Sequence, residues 1–145
     1  MEAAPEPVQF SLPLPKSLDT RIYVRLSTQT KAIMLSLTTA PQDEPASVAP
    51  MGSFVYGLPN RFNRGDPLAT VLFPHEPTVE FTTRLAKLLA RKTELPVYVT
   101  NSVSFKNAGM GGTVEEEMEA FRDVAEQVTA RIKQAGVGAM AVNGN

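Results

Sequence analysis

The chain has no cysteine, no tryptophan and a single histidine among its 145 residues. The missing cysteines exclude a disulfide framework, an iron–sulfur cluster, a thiolate zinc site and a cysteine nucleophile, and they fit a reducing compartment. One histidine without thiolate partners is a poor basis for a transition-metal site. The expectation is a protein without metal or cofactor. An excess of either charge is missing too: 14 Lys and Arg oppose 15 Asp and Glu, for a net charge of −1. A nucleic-acid-binding module carries a basic surplus to displace counterions, and an acidic membrane surface attracts one. Neither partner is expected. No apolar run reaches the ~18 residues of a membrane span, and Met1–Pro7 lacks the basic and apolar stretches of a secretory signal. Together these absences predict a soluble protein of the cytoplasm, and of the nucleus as well.

At this length one domain is the natural unit, and it buries roughly 68% of its unfolded surface, enough for a core without staples. We assign it to residues 1–136, with 1–7 a flexible N-terminus and 137–145 a flexible tail. The first half alternates. Val8, Phe10, Leu12 and Leu14 read as a strand that Pro13 confines to an edge. Ile22, Val24 and Leu26 alternate with Arg21, Tyr23 and Arg25. Ser27–Thr30 turns into Lys31–Thr39, where both faces are apolar and a central strand is predicted. Ala40–Pro50 is polar and proline-rich, a surface loop. Gly52–Leu58 and Leu68–Phe73 complete five strands, the former with Phe54, Tyr56 and Leu58 on one face.

The second half changes period. Phe81, Leu85, Leu88 and Leu89 fall at helical spacing within a helix over 78–93. A sixth strand, Leu95–Thr100, follows. After a glycine-containing loop, Thr113-Val-Glu-Glu116 has the form of a capping box, and Val114, Met118, Phe121, Ala125, Val128 and Ile132 trace a narrow heptad-like seam that ends before Gly136. The order βββββαβα predicts an α+β fold: a six-stranded antiparallel β-sandwich or sheet with two packed helices.

Catalytic patterns are scarce. His75 has no Gly-x-Ser-x-Gly elbow to serve. Gly109-Met-Gly-Gly112 precedes a helix, where anions bind, yet no Gly-Lys-Ser/Thr follows and Glu115, Glu116 and Glu117 would repel a phosphate. The same glutamates lack the Asp-x-Asp-x-Asp-Gly loop of a calcium site. Neither a catalytic nor a cofactor-binding residue is therefore assigned. Arg84, Lys87 and Arg91 share a stripe of the first helix, with Lys92 beside them. They read either as a protein-docking face for an acidic partner or as a solvated helix surface.

Leu85-Ala-Lys-Leu-Leu-Ala-Arg-Lys-Thr93, running into Leu95-Pro-Val-Tyr-Val-Thr-Asn101, resembles the signature segment of the proteasome assembly chaperone 4 family. Val114-Glu-Glu-Glu-Met-Glu-Ala-Phe121 is similar to the opening of that family's last helix. The departures are the proline-rich N-terminus, the 40–50 loop and the extended last helix with its tail, as in a fungal-type or divergent member. The resemblance implies a non-enzymatic chaperone that pairs as a heterodimer with a sister of like fold, the third assembly chaperone. Such a pair holds α-type subunits, chiefly α5, while the 20S α-ring forms, and then leaves. The residues alone leave open an adaptor or scaffold subunit of another complex. A small hydrolase stands behind both, and would need a deep pocket at His75 with a serine and a carboxylate nearby.

Overall fold

The computed structural model describes residues 6–29, 31–42 and 51–140. Six strands and two helices follow one another as β1 (Val8–Pro13), β2 (Thr20–Thr28), β3 (Ile33–Pro41), β4 (Ser53–Leu58), β5 (Leu68–Phe73), α1 (Glu76–Thr93), β6 (Val97–Ser102) and α2 (Val114–Ala135). The expected α+β order is observed. The strands form a single sheet in the order β1-β2-β3-β6-β4-β5. It is antiparallel except between β3 and β6. The reason is the connection. α1 carries the chain from β5 back across β4, so β6 emerges parallel to β5, as crossover helices require. It then fills the gap between β4 and β3. The arrangement is one mixed sheet with helices on one face, not two sheets face to face.

Alternation sets the two faces of the sheet. Ile22, Val24 and Leu26 of β2, Ile33, Leu35 and Leu37 of β3, Val97 and Val99 of β6 and Val55 of β4 are buried against the helices. From α1 come Phe81, Leu85, Ala86, Leu89 and Ala90, and from α2 Ala120, Val124, Val128 and Ile132. α1 lies over β4, β5 and β6, while α2 reaches β2. Arg131 stacks over Phe10 of β1 at 4.5 Å, covering that edge of the core with a cation–π contact. β4 comes unusually close to α1 because residue 57 is glycine. A Cβ there would stand 2.7 Å from the Ala86 carbonyl oxygen.

Helix ends follow the sequence signals, with two additions. Thr113 accepts from the Glu116 N–H and Glu116 returns the bond to the Thr113 N–H, so the capping box is present. Gly136, at φ 68°, closes α2 through bonds to the Ile132 and Lys133 carbonyls. α1 starts earlier than expected, at Glu76, with Pro77 in its first turn. No side chain of its own N-cap holds that end. Ser53 of β4 does so instead: its hydroxyl accepts from the His75 N–H at 2.9 Å and lies 3.0 Å from the His75 carbonyl and 2.8 Å from the Thr78 hydroxyl. Two of the three buried threonines of α1, Thr82 and Thr93, each donate to the carbonyl four residues back, which makes them compatible with the core.

Three expectations need correction. β3 continues through Ala40 and Pro41, opposite Arg21 and Thr20, so the loop expected from Ala40 begins later. Residues 43–50 of that loop lie outside the described residues. The last strand is shifted towards the C-terminus, at 97–102 rather than 95–100, because Pro96 carries no N–H and contributes only its carbonyl, to the Ile33 N–H. In α2 the buried stripe runs Glu116, Ala120, Val124, Val128 and Ile132, leaving Val114 and Met118 exposed. Small Ala120 and a fully hydrogen-bonded Glu116 let the helix lie down on that side instead. Beyond Gly136, Val137 packs on the core and Gly138–Met140 form one 3-10 turn against α1. Residues 1–5 and 141–145 lie outside the described residues.

Candidate protein-binding site

The sheet has a second face, and among the described residues no helix covers it. Cross-strand register aligns side chains there in rows. Met34, Tyr98 and Tyr56 are consecutive partners across β3, β6 and β4, and the two tyrosine rings stack with centroids 4.7 Å apart. Phe54 sits 6.3 Å from Tyr98 in the next row. Its row continues through Thr100, which donates to Ser36 at 3.0 Å, and in the row beyond Ser102 donates to Thr38 at 2.8 Å. The patch continues onto edge strand β5, where Leu68, Leu72 and Phe73 are each about half exposed (51%, 49% and 50%). Partial burial, and then the neighbouring Tyr98 phenol, push the Tyr56 phenol above its usual range, so it stays neutral at physiological pH.

Over β3, β6, β4 and β5 this face is aromatic and uncharged, with Arg21 and Arg25 standing only on its β2 side, and such a patch ending in an apolar edge strand has the composition of a protein interface core. The sequence carried a signal for it. Tyr56, Tyr98 and Met34 stand at the outward positions of strands whose inward positions are already apolar. That pattern marks a sheet covered on both sides.

The sequence-predicted docking residues occupy the opposite side. Arg84, Lys87, Arg91 and Lys92 are all exposed on α1. Arg84 lies over the Phe121 ring of α2, 5.0 Å from its centroid, and so bridges the two helices. The structure brings Arg84, Lys87 and Arg91 together around a depression of about 350 Å³, which Leu88 and Phe121 also line. Lys92 faces the adjoining groove between the helices.

Neither region revives catalysis at His75. Its side chain is exposed, and the nearby serine, Ser53, contacts only its backbone and is buried. Among the described residues no group of three His, Asp or Glu side chains is placed to hold a metal, and no helix is long and apolar enough to cross a membrane. The glycine loop before α2 is committed internally. The buried Glu116 carboxylate accepts from the Met110, Gly112 and Thr113 N–H groups at 2.6, 2.9 and 3.0 Å, where an anion would bind. Burial pushes its pKa up, but those three amides and the Lys16 charge outweigh this and hold it below the usual carboxylate range. Spacing disclosed the capping box but not this clamp.

The family model of proteasome assembly chaperone 4 matches residues 21–103, from β2 to just past β6, more than half of the chain. The chain belongs to the proteasome assembly chaperone 4 family. Membership places it among chaperones of proteasome assembly, proteins that work by binding rather than by catalysis. The fold has a solved counterpart. A chain from a structure described as a novel chaperone complex for yeast 20S proteasome assembly superposes with a TM-score of 0.55 at 14% identity, over 89% of this chain and 95% of that one. At that identity the likeness speaks for the fold alone. No curated protein matches the chain in sequence.

Proposed function

We propose that this chain is one half of a chaperone heterodimer, pairing with a sister of the assembly chaperone 3 type through its open sheet face. In that complex it holds α-type proteasome subunits, chiefly α5, while the 20S α-ring forms, and is then released. It acts in the cytoplasm and the nucleus without metal or cofactor. The observation that carries the pairing is the uncovered Met34–Tyr98–Tyr56 row with Phe54 and the apolar β5 edge beside it. A sheet with one apolar face on its helices and another facing water is incomplete, and a second sheet of like twist covers it. Docking of the α-subunit falls to the helix side, where Arg84, Lys87, Arg91 and Lys92 steer an acidic surface; contacts of this kind set encounter and register and still permit release.

Co-expression with the sister chaperone tests the pairing, read by size-exclusion chromatography and mass spectrometry. The wild-type chains should co-elute as one complex. Tyr56→Asp with Tyr98→Asp buries two charges in the interface core and should abolish co-elution, since central aromatic anchors are worth about 2 kcal/mol or more each. If the double variant co-elutes like the wild type, the face is wrong. If the wild-type chains never co-elute, the pairing is wrong.

A further inference from the structure

The helix side carries more than a basic stripe. Between α1 and α2 runs a groove of about 510 Å³, its floor made by Leu88, Phe121, Ala125 and Ala130. It continues into the 350 Å³ depression beside Arg84, the two sharing Leu88 and Phe121. Phe121 and Ala125, both half-buried, and the exposed Met118 belong to the part of the apolar seam that the core leaves incompletely covered. Cations stand on both banks. Arg84, Lys87, Arg91 and Lys92 lie on α1, and Arg122 and Lys133 on α2. Against these six stand Glu126 in the groove and Asp66 at its end. The sole ion pair among the described residues is Arg64 with Glu94, so none of the six cations has a carboxylate partner there.

We propose that this groove receives an acidic amphipathic helix of the α-type subunit, apolar face down, with carboxylates meeting both banks. The proposal rests on the docking reading above and adds the chemistry of what docks. The class of occupant follows from the groove. Its apolar floor selects for hydrophobic anchors, its unpaired cations select for acidic flanks, and a trough between two helices suits a third. From Phe121 to Lys133 it offers about 18 Å, roughly three helical turns. A basic or neutral segment would leave six like charges facing it with only Glu126 and Asp66 nearby to offset them.

Two assays separate the failure of this proposal from that of the docking reading. In the first, the full-length chain is titrated by fluorescence anisotropy with a labelled helical peptide of roughly 14 residues, leucines on one face and glutamates on the other. A counterpart with lysines in place of the glutamates serves as the control. The glutamate peptide should bind at least about ten-fold tighter, a difference that shrinks as salt is raised. Ala125→Trp fills the groove without altering charge and should abolish binding. Ala130→Trp, at a more exposed floor position, does the same if the first variant melts early. Equal affinity for the two peptides, or unchanged binding by a folded Trp variant, overturns the proposal. In the second assay, purified α-type subunits are captured by wild type and by the same Trp variants. Capture by wild type that the Trp variants retain overturns the groove as the docking place while the chaperone reading stands. No capture by wild type overturns the docking reading, leaving the peptide result to judge the groove by itself.

Discussion

Adding one methyl group at Gly57 should push α1 off the sheet. The new Cβ would lie 2.7 Å from the Ala86 carbonyl oxygen, 3.0 Å from its carbon and 3.2 Å from the Ala86 Cβ. Ordinary contact begins near 3.4 Å, so the helix backbone must withdraw by about 0.7 Å. Neighbouring Leu85, Ala86, Leu89 and Ala90 are completely buried, and a shift of that size opens gaps along their layer. Overpacking of this sort costs about 1–3 kcal/mol, and the lower backbone entropy of the unfolded variant returns about 0.4–1 kcal/mol. The net loss should be about 1–2 kcal/mol, lowering Tm by roughly 3–6 °C for a domain of this size. Thermal melts followed by circular dichroism measure it. Gly65→Ala is the control: its Cβ would meet only the Asn63 side chain, at 3.6 Å, and should leave Tm unchanged or slightly raised. Because the nearest obstacle is a backbone oxygen, adding Ala86→Gly should not rescue Gly57→Ala. A Gly57→Ala variant as stable as wild type, or full rescue by Ala86→Gly, would refute the account of this contact. Below its Tm the variant should still pair with the sister chaperone, since Tyr56 and Leu58 point the other way.

Three more predictions follow from the same structure. Arg84→Glu with Lys87→Glu should cut capture of α-type subunits several-fold with Tm unchanged, and wild-type capture should itself weaken as salt rises; full retention in a pull-down at physiological salt refutes the role of these residues. Glu116→Gln should lower Tm at neutral pH. The folded pKa of Glu116 lies below its ordinary value of 4.5, so the stability it supplies is complete above that value and lost as pH falls through the lowered one. Melts from about pH 7 down to about pH 3 should therefore show wild type and variant converging in acid, and a constant gap refutes the clamp. Ser53→Ala leaves the His75 N–H and Thr78 hydroxyl short of a buried partner and should cost about 1–3 kcal/mol in denaturant unfolding, whereas His75→Ala, at an exposed side chain, should cost nothing measurable.

The elements were readable from the chain because each has its own period. Ile22-Val24-Leu26 and Phe81-Leu85-Leu88 need no tertiary information to be assigned. Boundaries moved where distant groups intervene. α1 begins two residues early because a serine 22 positions away satisfies its first turn. The parallel pairing of β6 with β3 was hidden because strand order depends on where a crossover helix lands, which no local pattern encodes. In the candidate site, the basic stripe was visible by spacing, and the aromatic sheet face was legible only in part, as outward apolar positions at 34, 54, 56 and 98. The offset of the α2 seam was not legible. Val114 and Met118 look like core until Glu116, a charged residue that period alone would turn to solvent, is seen wrapped by three amides.

Placing the last strand in the middle of the sheet shapes how the molecule comes into being. β3 and β4 have no hydrogen-bonded neighbour on their facing edges until β6 slides between them, some 64 residues after its partner in β3. A ribosome releasing this polypeptide exposes a three-stranded meander first and a β4–β5 hairpin later, each with a raw edge. Neither is closed before residue 102 has cleared the exit tunnel. Loop closure over that distance slows the completion of the sheet, so the newborn chain depends on a keystone that arrives only after every other strand has been made.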